Sequence, residues 1–142
     1  MSLSNDPYDL DRFVQAQAAD YDRALSELRA GKKRSHWMWY IFPQIEGLGQ
    51  SPISRRYSIK SAAEARAYLD HPILGPRLRE CAALVNGIVD HSALEILGSP
   101  DDMKLRSCAT LFASVSDDAV FEQVLEKYFN GQHDQETLRR LQ

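Results

Sequence analysis

The stretch DPYDLDRFVQAQAADYDRALSELRAG, residues 6–31, decides the fold class. Asp6-Pro7 is typical of a helix start, because the N–H that proline lacks has no intrahelical partner in a first turn. Apolar and aromatic side chains then return every three or four residues, as they do on one face of an α-helix. Gly31 can end this helix in the left-handed conformation. The stretch therefore predicts one long amphipathic helix.

The rest of the chain contains further signals for helix starts and helix ends. Ser61 and Ser92 each stand three residues before a glutamate, which predicts a capping box at a helix start. Ser35 is predicted to cap a short second helix that Pro43 ends. Apolar residues do not recur periodically between residues 43 and 60, and the glycines and proline there predict an irregular loop.

These patterns predict an all-α protein. No stretch alternates with period two, so no strand is expected. We predict a compact single domain over residues 1–142, built from seven to eight short helices with one irregular loop around residues 43–60. Residues 1–5 are expected to be a disordered start.

Composition narrows the possible partners. A net charge of −3 argues against nucleic acid, and no apolar run approaches the ~18 residues of a membrane helix. Cys81 and Cys108 lie in apolar helical patterns, which predicts two buried thiols in a reducing cytoplasm rather than a disulfide. Their spacing fits no metal site, so we expect no metal and no cofactor.

The charge is unevenly distributed along the chain. Residues 29–60 hold seven lysines and arginines but one acidic residue, Glu46. An acidic protein with one basic segment suggests a local anion site. The alternative is that these cations are solvated at helix ends.

The stretch SHWMWYIF, residues 35–42, lies inside this basic segment. Its aliphatic members and Phe42 are expected in the core, because a helix that is apolar all round is buried all round. Trp37 and Trp39 differ, since each carries an N–H that needs a partner when buried. His36 is predicted in the first turn of the short helix, where anions bind and a neutral imidazole is favoured. The alternative is that His36 is a structural histidine, which is the more common role of a lone histidine.

We therefore predict that the segment from Lys33 to Tyr57 binds a small anionic ligand, similar to a nucleotide or a sugar phosphate. The candidate ligand-binding residues are Lys33, His36, Trp37, Trp39, Gln44, Ser51, Ser54, Tyr57 and Lys104. His36 and Asp102 are candidate general bases if the protein is an enzyme, which the sequence leaves open. Asp102 could instead serve only a helix N-terminus, and Lys104 could be a surface residue.

A second hypothesis is a protein–protein interaction module with Trp37 or Trp39 exposed as the anchor. The sequence does not identify the partner protein that such a module would bind. Several enzyme classes are set aside because their motifs are missing: the sequence has no phosphate-binding P-loop, dinucleotide fingerprint, Gly-x-Ser-x-Gly elbow or His-Glu-x-x-His motif.

Four motifs together resemble a bacterial family called domain of unknown function 1810, often labelled calpastatin. They are Gly31-x-Lys33-x-Ser35-His36-Trp37-Met38-Trp39 with Ile41-Phe42-Pro43-Gln44, Gly47-Leu48-Gly49-x-Ser51 with Ser54-x-x-Tyr57, Glu64-Ala65 with Tyr68-Leu69-x-His71-Pro72, and Asp102-x-Lys104-Leu105-x-Ser107 with Thr110-Leu111-Phe112. The resemblance implies an all-helical single domain without an established activity. Cys108-Ala109 departs from the family pattern, in which a serine and a larger apolar residue are expected.

Overall fold

A computed structural model describes residues 6–142, so the prediction for residues 1–5 lies outside the described residues. The described chain is all-helical, compact and organised as one domain, which confirms the predicted fold class. It forms nine helices instead of seven to eight: α1 Asp11–Arg29, α2 Met38–Ile41, α3 Pro52–Arg56, α4 Ala62–Asp70, α5 Leu74–Gly87, α6 Ala93–Leu97, α7 Asp101–Val115, α8 Ala119–Phe129 and α9 Gln135–Arg140.

Helix α1 has the predicted amphipathic character but begins later than its signal. The Asp6 carboxylate accepts hydrogen bonds from the backbone N–H groups of Leu10 at 2.7 Å and Asp11 at 3.0 Å. The Asp6 carboxylate therefore caps α1 from a position four residues before Leu10, and residues 7–9 form a turn between the two. Gly31 ends the helix region at φ +75°, a conformation that glycine adopts without strain.

Two other predicted starts, at Ser61 and Ser92, are confirmed by their side-chain caps, and a further side-chain cap begins α9. Ser92 forms the predicted complete capping box with Glu95. Ser61 accepts from the backbone of Glu64, but the Glu64 carboxylate accepts from the N–H of Lys60, so the box predicted there is incomplete. Asp134 accepts from the backbone of Thr137 at the start of α9. Each cap satisfies an amide that would otherwise have no partner.

The second helix begins at Met38, not at the predicted Ser35 cap. Ser35 hydrogen-bonds to the carboxylate of Glu27 on α1, so its hydroxyl is not available as a cap. His36 consequently precedes the helix. The prediction that it occupies a first helical turn was wrong.

The segment 43–60, predicted as an irregular loop, contains a short helix and a β-bridge. Ser51 caps the five-residue helix α3, whose length is too short to show a period. An isolated parallel bridge pairs Ile45 with Ile59, through N–H to O distances of 2.8 Å from Glu46 to Ile59 and from Ile59 to Gln44. The bridge holds both ends of the segment together.

A row of aromatic rings runs through the core. Phe13, Tyr68, Phe112 and Phe121 are each almost fully buried, with successive ring centroids 5.1, 5.4 and 5.7 Å apart. The row joins α1, α4, α7 and α8 into one core, and such contacts add about 0.5–1.5 kcal/mol per pair beyond burial. Both cysteines are buried and free, in agreement with the prediction. Within residues 6–142, no helix has the length and apolarity required to cross a membrane.

Candidate functional site

The carboxylate of Glu27 fixes the chain that enters α2. It accepts hydrogen bonds from the backbone N–H groups of Arg34 at 2.7 Å and Ser35 at 3.0 Å, from the Ser35 hydroxyl at 2.6 Å, and from Trp37 Nε1 at 2.9 Å. Burial raises the pKa of this carboxyl, but the four hydrogen bonds outweigh it and lower the pKa to about 2. Glu27 is therefore an ionised anchor for residues 34–37.

Trp37 is a core residue. Its side chain is fully buried and its N–H is satisfied by Glu27. It has no exposed face on which a ligand or a partner protein could pack. Its predicted place among the ligand-contacting residues is therefore not supported by its position.

Lys33 joins the aromatic segment to α7. Its ammonium lies 2.8 Å from a carboxylate oxygen of Asp101, and only 9% of the lysine side chain is exposed. The other oxygen of Asp101 is 2.9 Å from the ammonium of Lys104. Burial raises the pKa of Asp101, whereas the two lysines lower it by hydrogen bonding and charge, with a net decrease. One partly buried carboxylate thus links two cations.

Lys104 also contacts the exposed part of the aromatic segment. Its ammonium lies 3.9 Å from the ring centroid of Trp39, within the range of a cation–π interaction. The two predicted clusters, residues 33–57 and residues 102–104, therefore meet in space. The sequence reasoning missed Asp101, although an acid at the first position of α7 was a visible signal.

A groove of about 330 Å³ opens where these residues meet. Trp39, Gln44 and Lys104 line it together with Ser107 and residues from the start of α9. Gln44 is only 7% exposed, and its Nε2 amide has no hydrogen-bond partner among the described residues. A buried donor without a partner costs about 1–3 kcal/mol, so a polar group that reached this amide from the groove would relieve that cost.

A second, much smaller cavity shares the lining residues Trp39, Gln44 and Leu48 with this groove. It has a volume of about 10 Å³ and is also lined by Ser54 and Tyr57. That volume is the size of one water molecule, so no nucleotide fits in it. Ser54 is buried and donates to the Ser51 carbonyl, while Ser51 caps α3. The roles predicted for these three residues in ligand binding stay predictions.

The two candidate general bases lie outside the groove lining. His36 is exposed, and its ring makes no hydrogen bond within residues 6–142. Asp102 stands beside Asp101 but does not pair with either lysine, and its Oδ1 is buried without a partner in the described chain. Their catalytic roles stay predictions that no bond in the structure supports.

The described residues contain no group of three or more His, Cys, Asp or Glu side chains that could hold a metal ion. The groove instead offers the hydrogen-bond donors of Lys104 and Gln44, with carboxylates of Asp134 and Glu136 at its edge. This combination can bind an acidic group at one end and hydroxyl groups at the other.

A solved structure resembles this fold over nearly its whole length. The conserved hypothetical protein Rv1873 from Mycobacterium tuberculosis, known from a crystal structure, is 53% identical, with a TM-score of 0.95. The match covers 96% of this chain and 98% of that one. No curated protein matches the sequence. The family model described as "Protein of unknown function (DUF1810)" matches residues 7–141, and the chain therefore belongs to that family.

Proposed function

We propose that the protein binds a small anionic ligand, similar to a sugar phosphate, in the groove formed by Trp39, Gln44 and Lys104. The observation that carries this proposal is the unpaired, buried amide of Gln44 in a groove that also contains a lysine ammonium. An acidic ligand group would satisfy both donors at once.

The two lysines beside the groove support an anion at that end, whereas the carboxylates of Asp134 and Glu136 make the other end acidic. Lys33 and Lys104 share the single carboxylate of Asp101, which leaves one positive charge uncompensated in that trio. The trio is mostly buried, so solvent screens this charge less than it would on an open surface. An anion bound beside Lys104 would complete the pairing.

The size of the groove narrows the ligand class. Ligand pockets in proteins span about 300–1,000 Å³, and this groove of about 330 Å³ is at the lower end. The volume favours a sugar phosphate over a complete nucleotide. The Asp134 carboxylate at the edge already accepts from Ser107 and Thr137, which fixes its orientation for a further hydroxyl donor.

Titration calorimetry with sugar phosphates, nucleotides and inorganic phosphate tests the proposal. We expect wild type to bind a sugar phosphate, and Lys104→Gln and Gln44→Leu each to weaken the affinity at least tenfold. Lys32→Gln is the matched control, because Lys32 is exposed and lies outside the groove lining. His36→Ala should retain binding.

Two results would contradict the proposal. One is that no compound binds wild type. The other is that a compound binds equally well to wild type, Lys104→Gln and Gln44→Leu. Loss of binding in His36→Ala alone would move the site to the exposed turn before α2.

The alternative of a protein interaction module is less well supported. Its anchor was to be Trp37 or Trp39, but Trp37 is buried and Lys104 lies over the ring of Trp39. We also infer that the protein works in the cytoplasm, since both thiols are free and buried. A nucleic-acid or membrane partner is not part of the proposal, because the net charge of −3 opposes polyanionic surfaces.

A further inference from the structure

A second groove, separate from the first, lies between the segment before α1, the helix α3 and the start of α4. Its volume is about 590 Å³. It is lined by Pro7, Tyr8, Asp9, Arg12, Pro52, Arg55, Arg56, Lys60, Ser61 and Glu64. The predicted ligand-binding segment 33–57 contributes Pro52, Arg55 and Arg56 to it, but it contains none of the individually predicted site residues and is not part of the ligand proposal above.

The floor of this groove is a buried ion pair. Arg12 and Glu64 are 2.7 Å apart, with 7% and 1% of their side chains exposed. The Arg12 guanidinium also donates to four backbone carbonyls, those of Tyr8 at 2.6 Å, Asp9 at 2.8 Å, Arg56 at 2.7 Å and Ser58 at 2.8 Å. Because all three walls are bonded to one side chain, the groove is held in shape before any ligand arrives.

The exposed walls are cationic. Arg55 and Arg56 are both exposed, and neither pairs with a carboxylate in the part of the chain that the structure describes. The Arg55 guanidinium has one long contact of 3.5 Å to Gln50, and that of Arg56 lies 5.5 Å from the Tyr57 ring centroid. Both guanidinium groups therefore keep most of their donors for a ligand.

The other charges do not cancel these two arginines. Arg12 and Glu64 neutralise each other, and Lys60 is 3.8 Å from Glu46 outside the lining. Asp9 is then the remaining acid in the lining. A protein with net charge −3 thus keeps a rigid groove with a positive excess. Two guanidinium forks match the oxygen geometry of phosphate groups better than lysines would.

We propose that this groove binds the phosphate groups of a small phosphorylated molecule. The forks of Arg55 and Arg56 would each hold a phosphate by paired, charge-assisted hydrogen bonds. The phosphate groups would lie above the Arg12–Glu64 pair, with the partly exposed ring of Tyr8 at the edge. A ligand with two phosphates should bind more tightly than one with a single phosphate, because it can engage both forks.

The test uses inorganic pyrophosphate as the probe and the ¹⁵N-labelled full chain in NMR titrations. We expect saturable shifts of the side-chain Nε–Hε signals of Arg55 and Arg56, with a weaker response to inorganic phosphate. Arg55→Gln with Arg56→Gln should weaken the affinity for pyrophosphate at least tenfold. The charge-matched control is Arg23→Gln with Arg29→Gln, both 59% exposed on α1, which should change the affinity less than twofold.

Three outcomes would overturn the inference. Shifts could fail to saturate and spread over all surface cations, which indicates screening alone. The Arg55 and Arg56 variant could bind as tightly as wild type. Both double variants could also weaken binding equally, which indicates net charge rather than a site. Lys104→Gln should leave pyrophosphate binding here intact, so failure of the first proposal is distinguishable from failure of this one.

Discussion

At the scale of single residues, the structure depends on buried carboxylates that each hold several donors. Glu27 is the clearest case, because one side chain satisfies two backbone amides, a hydroxyl and an indole N–H. No local pattern in the sequence marks this role. Glu27 lies on a helix where the acids Asp11 and Asp22 are exposed, and its own partners are seven to ten residues further along the chain.

Replacing Glu27 by glutamine should cost about 1–3 kcal/mol of unfolding free energy at pH 6, because the amide brings a donor to a site that needs acceptors. Urea denaturation of both proteins at pH 6 and pH 3 measures the cost. A loss well below 1 kcal/mol at pH 6 would contradict the anchoring role.

The same carboxyl predicts the acid sensitivity of the protein. The pKa of the Glu27 carboxyl is about 2 in the folded state, below the usual value near 4.3. Its contribution to the free energy of unfolding is therefore complete above that usual value and is lost as the pH falls through about 2. The contribution corresponds to roughly 3 kcal/mol. We expect Glu27→Gln to lose less stability than wild type between pH 6 and pH 3. Parallel pH profiles would contradict this assignment.

Neighbouring aspartates at the start of α7 offer a matched comparison. Asp101→Asn leaves the nearly buried Lys33 without its anion, and we expect it to cost about 2–4 kcal/mol. Asp102→Asn removes a carboxylate whose Oδ1 has no partner in the described chain, so its effect should stay within about 1 kcal/mol. Chemical denaturation at neutral pH compares the two. Equal costs would show that the lysine pairing does not stabilise the fold.

At the scale of helices, local signals determined how well the sequence could be interpreted. Helix α1 and the starts capped by Ser61 and Ser92 were predictable, because the capping residues and the helical periodicity lie in one window of sequence. Helix α3 was not, since its five residues complete little more than one turn. The delayed start of α2 was also hidden, because the Ser35 hydroxyl bonds to a residue of α1.

The junction of α4 and α5 requires a glycine, and the two glycines of α5 provide a test with an internal control. A Cβ at Gly75 would lie 2.0 Å from the Leu69 carbonyl oxygen, which is backbone and cannot move aside cheaply. A Cβ at Gly87 would have no heavy atom within 4 Å.

Gly75→Ala should therefore destabilise the protein by about 1–3 kcal/mol or more, because the two helices must separate. Gly87→Ala should instead stabilise it by about 0.4–1 kcal/mol, since alanine restricts the unfolded chain and favours the helix. Thermal and urea denaturation of both variants give the comparison. Stabilisation by Gly75→Ala would mean that the helices do not approach as closely as the structure has them.

At the scale of the whole molecule, the candidate site depends on contacts between distant residues that the sequence alone does not predict. Lys33 and Asp101 are 68 positions apart, and no spacing rule places them in one ion pair. Residue types pointed to Trp39, Gln44 and Lys104, which do line one groove. Residue types could not separate Trp37 from Trp39, because burial of one and partial exposure of the other follow from packing against α1 and α7.

The single core also makes a prediction about unfolding. The tryptophans report on α2 and its entry, the free thiols lie on α5 and α7, and far-UV circular dichroism reports on all helices. Burial raises the pKa of Cys81 to about 12, so its thiol should react with a disulfide reagent only after the core opens. One core shared by these elements should unfold as one cooperative unit.

We therefore expect tryptophan fluorescence, circular dichroism and thiol reactivity to give the same urea midpoint, with one slope of about 1–3 kcal/mol per molar urea. Neither thiol should react in the native protein over the time in which a denatured sample reacts completely. Glu27→Gln should shift all three midpoints together, because its anchor connects α1 to the shared core. A fluorescence transition at lower urea than the thiol transition would instead show that residues 31–60 unfold separately, and the single-domain prediction would then be wrong.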